Sequence, residues 1–184
     1  MFLDPAEFEI TSVLESSWQQ IRDEYIALPN DAFDPWVQRR MYGKGWSVYG
    51  LFADGEHIDG ACAKCPKTAE LIRSIDGVSR AGFSRLAPHT HIKAHVGWAV
   101  SVYRLHLGLV VPQGCRLRVS NDTKRWEEGK CLIFDDTVDH EAWNDSDQIR
   151  GILLLDFLRP GITELREDEA PEDVRRFVES LKNQ

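Results

Sequence analysis

The chain has 184 residues, of which 42% are hydrophobic and 28% charged, and its formal net charge is −8. That length suits one domain with a sizeable core, and an acidic balance without a Lys/Arg tract argues against nucleic acid or anionic lipid as the main partner. No apolar run reaches the length of a membrane span, and the N-terminus MFLDPAEFEI shows no basic region followed by an apolar stretch, so the expectation is a cytoplasmic protein without a signal peptide.

In chain order, residues 8–28 carry Val13, Trp18, Ile21, Tyr25 and Ile26 at roughly helical spacing, which predicts an amphipathic helix broken by Asn30–Pro35. GWSVYGLFADG alternates and ends in a turn signal, so it reads as a strand. Cys62 and Cys65 form C-x-x-C in GACAKCP, without the second close pair of a zinc ribbon or the strand–helix alternation of a redox motif. They read as reduced thiols, like Cys115 and Cys131. PKTAELIRSI, opened by Pro66, reads as a second helix.

After Gly82 the pattern changes. FSRLAP, SVYRLHLGLVVP, CRLRVS, KCLIFDD, HEAWN and IRGILLLDFL are short segments rich in branched and aromatic residues, separated by the turn signals PQG, SND, EEG and DSD. Short strands in close succession without helices between them predict an antiparallel sandwich or barrel. The tail is expected to be helical after Pro171, with Val174, Phe177, Val178 and Leu181 on one side. The sum is one α+β, mainly β domain: a helical part to about residue 80, a jelly-roll core over about 81–160, and a helical tail over 161–184.

Six histidines are the candidates for chemistry. HTHIKAH, residues 89–95, holds three of them. His57 reads as an exposed turn residue. His89 and His91 share a face if the segment is extended, where each is a ligand or a solvent-facing group. His95 opens H-V-G and His140 lies 45 residues on, after the strand CLIF; two histidines on different strands of a barrel can converge on one iron. The usual facial triad has a carboxylate two residues after its first His, and that position is Gly97, so spacing alone leaves metal and structural roles both open. Arg104 and His106 alternate onto one strand face, where an anionic ligand or an internal hydrogen-bond network would satisfy them. Arg150, at the head of the most apolar strand, suits a carboxylate clamp or a salt bridge to Asp156, Asp135 or Asp136. Asp135 and Asp136 could themselves ligate a metal, but read first as acceptors for loop amides before His140.

Taken together, the motifs resemble the catalytic domain of the aspartyl/asparaginyl β-hydroxylases. The likeness runs over about residues 10–162 and rests on H-x-G, R-L-H-L-G-L-V-x-P, W-E-E-G-K, F-D-D-x-x-x-H-E-x-W and the later Arg150, with SWQQIRDE, KGWSVYGLF and CPKTAELI upstream in matching order. The resemblance implies a double-stranded β-helix, cupin-like, that uses Fe(II), 2-oxoglutarate and O2. It implies iron held by two histidines, His95 and His140, with a glycine in place of the carboxylate. It gives Arg150, helped by Ser84, the distal carboxylate of 2-oxoglutarate. Arg104 and His106 match residues lining the cosubstrate and substrate side, Trp46 matches a tryptophan next to the cosubstrate, and His91 matches a family histidine set behind the site at most. The implied reaction hydroxylates an unactivated carbon, the β-carbon of an aspartate/asparagine-like amino acid, whether free, peptidyl or carrier-tethered, with release of succinate and CO2. Arg104 is then the candidate to grip a substrate carboxylate. One departure bears on the substrate: a basic residue that the family's animal enzymes carry two places before Arg104 is Val102 here. The membrane anchor and helical repeats of those enzymes have no counterpart in the chain, so the expectation is a bare catalytic domain with no obligate protein partner. The rival readings are a non-enzymatic cupin-like protein that binds a small acid, a metal-dependent hydrolase, and an oxygenase acting on a lipid acyl chain.

Overall fold

The structure is a computed structural model that describes residues 1–165 and 170–183; residues 166–169 and 184, part of the expected helical tail, lie outside the described residues. Strands are β1 (Phe2–Leu3), β2 (Asp34–Pro35), β3 (Trp46–Ala53), β4 (Glu56–His57), β5 (Val78–Leu86), β6 (Thr90–His95), β7 (Val102–Val110), β8 (Cys115–Val119), β9 (Asp122–Lys124), β10 (Cys131–Phe134), β11 (His140–Asn144) and β12 (Arg150–Leu158). Helices are α1 (Glu9–Ser16), α2 (Trp18–Ala27), α3 (Asp59–Lys64), α4 (Pro66–Arg73) and α5 (Glu172–Lys182).

The strands form two antiparallel sheets. The large one runs β1-β10-β7-β12-β5-β3-β2, with β4 beside β3, and the small one runs β6-β11-β8-β9. From β5 to β12 the chain passes from one sheet to the other at nearly every turn, β5, β7, β10 and β12 in the large sheet and β6, β8 and β11 in the small one. That alternation is the jelly-roll, or double-stranded β-helix, and it agrees with the close-set strands of the sequence. The sheet also reaches back past residue 80, because β3 pairs with β5 along most of its length.

Period-two alternation gives the large sheet two apolar faces. Phe83, Leu105, Leu107, Leu153 and Leu155 point outward and pack under Leu14, Ile21, Tyr25, Ala69 and Ile72 of the helices. Leu86, Phe134 and Ile152 point inward and meet Ile92, Leu117, Val119 and Ala142 of the small sheet. The expected single helix over 8–28 is two: Ser17 leaves helical geometry (φ −108°, ψ 5°), after the Ser12 and Ser16 hydroxyls have bonded back to the carbonyls of Glu9 and Val13. Serine side chains that compete for backbone carbonyls weaken a helix at such a point. The thiols of Cys62, Cys65, Cys115 and Cys131 are free and buried. Helix α5 packs on the inner face of the large sheet beside β3: Leu181 lies against Ile58 and Ala53, and Phe177 meets Trp36 edge to face at 5.7 Å.

Candidate active site

His95 and His140 stand directly opposite each other in the β6–β11 ladder. Their ring centroids are 4.2 Å apart. A bulge produces this: between the Ile92–Ala142 and His95–His140 pairs, β6 has two residues, Lys93 and Ala94, against the single Glu141 of β11. Strict alternation from Ile92 would send position 95 outward; the extra residue turns it inward. Each ring is then fixed the same way, Nδ1 lying 2.8 Å from the carbonyl two residues earlier, Lys93 for His95 and Val138 for His140. A carbonyl can only accept, so both Nδ1 atoms carry the proton and both Nε2 atoms are unprotonated, the form that can ligate a metal. Burial, and then the neighbouring imidazole, pushes His140 down to about 3, and burial lowers His95 as well. Both rings are therefore neutral at neutral pH, the form that binds a metal.

The place of the missing carboxylate is filled from elsewhere. A Cβ on Gly97 would lie 1.6 Å from Oδ2 of Asp136, so Gly97 has no side chain because Asp136 occupies that space. Asp136 is 1% exposed, its Oδ1 is 3.3 Å from His140 Nε2, and its carbonyl accepts from the Gly97 N–H at 2.7 Å. Arg104 donates to it through Nη1 and holds Asp156 bidentately through Nε and Nη2, at 2.8 and 2.9 Å. Burial raises Asp136 above the ordinary carboxylate range, against the pull of Arg104. Burial opposes the Arg104 charge, but the two carboxylates more than offset it and raise that group. The sequence reading of Asp136 as an acceptor for loop amides gives way here: that role belongs to Asp135, which accepts from Thr137 and pairs with Arg159. In the sequence Asp136 and Asp156 are possible salt-bridge partners of Arg150; in the structure both belong to Arg104. Asp156 was legible, since period two from Arg150 puts it on the same inward face.

Arg150 is the opposite case to Arg104. It is 2% exposed, and none of the salt bridges considered for it forms: Asp136 and Asp156 go to Arg104, and Asp135 goes to Arg159. Its Nη1 reaches the Ser84 carbonyl at 3.4 Å, its guanidinium lies 4.8 Å from the Trp126 ring centre, and its Nε is buried without an acceptor. Burial lowers its pKa to about 10. Ser84 is buried beside it, and the Trp46 indole N–H donates to Ser84 Oγ at 3.1 Å. Trp126 Nε1 donates to His106 Nδ1 at 3.3 Å, so the His106 proton sits on Nε2, which is buried and lacks a partner. Burial, with Arg150 and Arg104 next, holds His106 well below its ordinary pKa, hence neutral.

The remaining histidines lie elsewhere. His91 is on the outer face of the small sheet, 2.9 Å from Glu141 and stacked on Trp143 at 4.9 Å. His89 does not share its face: it is a turn residue at φ 55°, exposed and 2.8 Å from Asp147. His57 forms an exposed pair with Asp59. Among the described residues, no group of three or more His, Cys, Asp or Glu side chains is arranged to hold a metal ion. A cavity of about 120 Å³ opens on His95, Gly97, Arg104, Asp136, Ser84 and Trp46, and α5 closes it with Val174, Phe177 and Val178.

A jelly roll with paired interior histidines and a buried, unpaired arginine defines a cupin-like binding or catalytic domain. In fold it is similar to the crystal structure of a predicted oxalate decarboxylase from Thermotoga maritima (TM-score 0.50, 10% identity, 70% of this chain and 93% of that one). The sequence model of the aspartyl/asparaginyl beta-hydroxylase family matches residues 15–160, and the chain belongs to that family. It is 38% identical over 164 residues to the human aspartyl/asparaginyl beta-hydroxylase, covering 84% of this chain and 22% of that protein. It is 41% identical over 118 residues to the ornithine lipid ester-linked acyl 2-hydroxylase of Rhizobium tropici, covering 62% and 42%. The chain thus spans well under half the length of these relatives, both named as hydroxylases. Among the described residues no helix is long and apolar enough to cross a membrane.

Proposed function

We propose that the protein is an Fe(II)- and 2-oxoglutarate-dependent dioxygenase that hydroxylates an unactivated carbon of a carboxylate-bearing substrate. The observation that carries this reading is Arg150, a guanidinium sealed inside the jelly roll without a counter-charge, in the same interior as two facing imidazoles with unprotonated Nε2 atoms. A buried unpaired cation is costly unless a ligand completes it, and a dicarboxylate is such a ligand.

The donor set fits the metal. Rings this close can both reach one ion at the ~2 Å of an imidazole–metal bond, and His95 Nε2 and His140 Nε2 would hold it. Ferrous iron with 2-oxoglutarate and O2 supplies the oxidising power that no side chain has, with succinate and CO2 released. The chain does the rest. Arg150 and the Ser84 hydroxyl bind the distal carboxylate, and because Trp46 donates to Ser84 Oγ, the hydroxyl proton is left to point at that ligand. His106 Nε2–H is a fixed neutral donor for the near end. Asp156 locks Arg104, and Arg104 in turn holds Asp136 against His140. Trp36, Trp46 and α5 exclude water, which sharpens every electrostatic contact within.

The family directs attention to an aspartate/asparagine-like substrate, free, peptidyl or carrier-tethered. A second reading, a lipid acyl chain, draws support from the apolar lining contributed by Trp36, Met41, Val48, Phe177 and Val178. The test is succinate release from 2-oxoglutarate with Fe(II) across amino-acid, peptide and acyl substrates, with product mass read for one added oxygen. Substrate-dependent succinate release that His140→Ala abolishes is the expected result; release that persists in iron-depleted His140→Ala protein overturns the reading.

A further inference from the structure

Three arginines enter the space between the sheets from the large sheet: Arg80 on β5, Arg104 on β7 and Arg150 on β12. The first is unaccounted for. The Arg80 side chain is 16% exposed, and its Nε and Nη1 are buried without an acceptor. Its ionic contact among the described residues is Asp54 at 3.6 Å, beyond hydrogen-bond reach, and Lys182 already holds Asp54 at 3.0 Å. Asp156 is its cross-strand neighbour, but both Asp156 oxygens face Arg104. Arg80 borders the same cavity as Ser84 and His95, at the end away from Arg150; Ser84 is four residues along the strand, about 13 Å. Gly82 lies between them, where a Cβ would come within 2.5 Å of the Tyr49 carbonyl on β3. Trp98, one residue past Gly97, lines the same cavity, and its Nε1 is a second buried donor without a partner.

We propose that Arg80, with the Trp98 indole N–H, seats the carboxylate of the substrate, and that this substrate is a carboxylic acid carried on an apolar body. The inference rests on the oxygenase reading above and narrows its substrate. Arg104 cannot fill the role while two buried carboxylates hold it, whereas Arg80 has unused N–H groups at Nε and Nη1, each able to donate to a carboxylate oxygen. The wall around it is Trp36, Met41, Val48, Leu154 and Phe177. A second acid or an amide on the substrate body would be buried there without a partner; a hydrocarbon chain would not.

The experiment is a tryptophan-fluorescence titration of the whole chain with octanoate, its neutral counterpart 1-octanol, and N-acetyl-aspartate, with and without Mn(II) and 2-oxoglutarate under argon. Trp36, Trp46 and Trp98 line the cavity and report occupancy. The wild-type protein is expected to bind octanoate at least tenfold more tightly than octanol. Arg80→Gln should erase that preference while leaving octanol and 2-oxoglutarate affinities within twofold, and Arg80→Lys should restore part of it. Circular dichroism of both variants checks the fold. The proposal falls if Arg80→Gln leaves octanoate affinity unchanged, if N-acetyl-aspartate binds more tightly than octanoate, or if neither eight-carbon probe binds. Failure of 2-oxoglutarate to bind the Mn(II) protein would instead sink the oxygenase reading, and the octanoate–octanol contrast would still decide the role of Arg80.

Discussion

The large sheet carries two cores, built from alternate residues of the same strands. On β12, Gly151, Leu153, Leu155 and Phe157 face the helices, while Arg150, Ile152, Leu154 and Asp156 face the small sheet. On β7, Leu105 and Leu107 face outward beside Arg104 and His106 facing inward. The outer core is mainly apolar; the inner one holds two facing histidines, three arginines and two buried carboxylates. The outer face supplies the free energy that lets the inner face keep charges a stable core would exclude, and stability and chemistry should therefore separate by residue parity.

The largest test of that separation is to remove both imidazoles. His95→Ala combined with His140→Ala is expected to take succinate release to background and to empty the protein of divalent metal in native mass spectrometry, with the melting temperature nearly unchanged. A collapse of the fold in the double variant would show that the pair belongs to the structural core. Next comes Arg150→Met. Losing a charge-assisted clamp of about 3 kcal/mol should raise the 2-oxoglutarate requirement about 100-fold. The ligand-free variant should nevertheless melt at a higher temperature than the wild type, because a buried guanidinium without a counter-ion has been replaced by an apolar chain. Arg104→Met reverses the sign. It strands Asp136 and Asp156 in the interior, and denaturant unfolding should show a loss of roughly 3–5 kcal/mol. If the Arg104 and Arg150 variants shift stability in the same direction, the contrast between a saturated and an unsaturated arginine is wrong. On the outer face, Leu153→Ala should cost about 2–4 kcal/mol and leave the 2-oxoglutarate requirement where it was.

Parity also explains how much the sequence disclosed. The close-set strands, the shared face of Arg104 and His106 and the face of Asp156 all follow from period-two alternation, and alternation is visible in one dimension. The histidine stretch is where it misleads. His89, His91 and His95 share parity, yet His89 sits in a left-handed turn, His91 points outward and His95 inward. His89 falls in the turn before β6; what parts His95 from His91 is a single bulge, a relation between β6 and β11 that neither strand records alone. The role of Asp136 was hidden for a related reason. Its meaning depends on the absent side chain of Gly97, 39 residues earlier, and two positions that complement each other's volume leave no periodic trace. The break at Ser17 is a smaller instance: apolar spacing continues across it, while serine hydroxyls decide where the helix stops.

The smallest effect concerns the C-x-x-C pair, which belongs to the outer core. Cys65 is fully buried under α2 and α4, and burial pushes its thiol up to about 12; burial also raises Cys62, whose Sγ–H donates to the Leu51 carbonyl at 3.3 Å. A catalytic or redox cysteine has its pKa lowered, so these thiols should stay unreactive toward a disulfide reagent at pH 8 until the protein unfolds. The same shift fixes a sign. Between an unfolded pKa of 9.0 and the folded value of about 12, the unfolded chain gives up a proton that the native state keeps. The stabilisation is complete below pH 9 and is lost as pH rises through that window, by about 1 kcal/mol for this thiol at pH 10. Cys65→Ala should therefore flatten the alkaline limb of the stability profile by about that amount. Equal slopes in the two proteins between pH 9 and 10, or rapid modification of native Cys65 at pH 8, would mean that the outer face is not the sealed, chemically silent partner that the inner face requires.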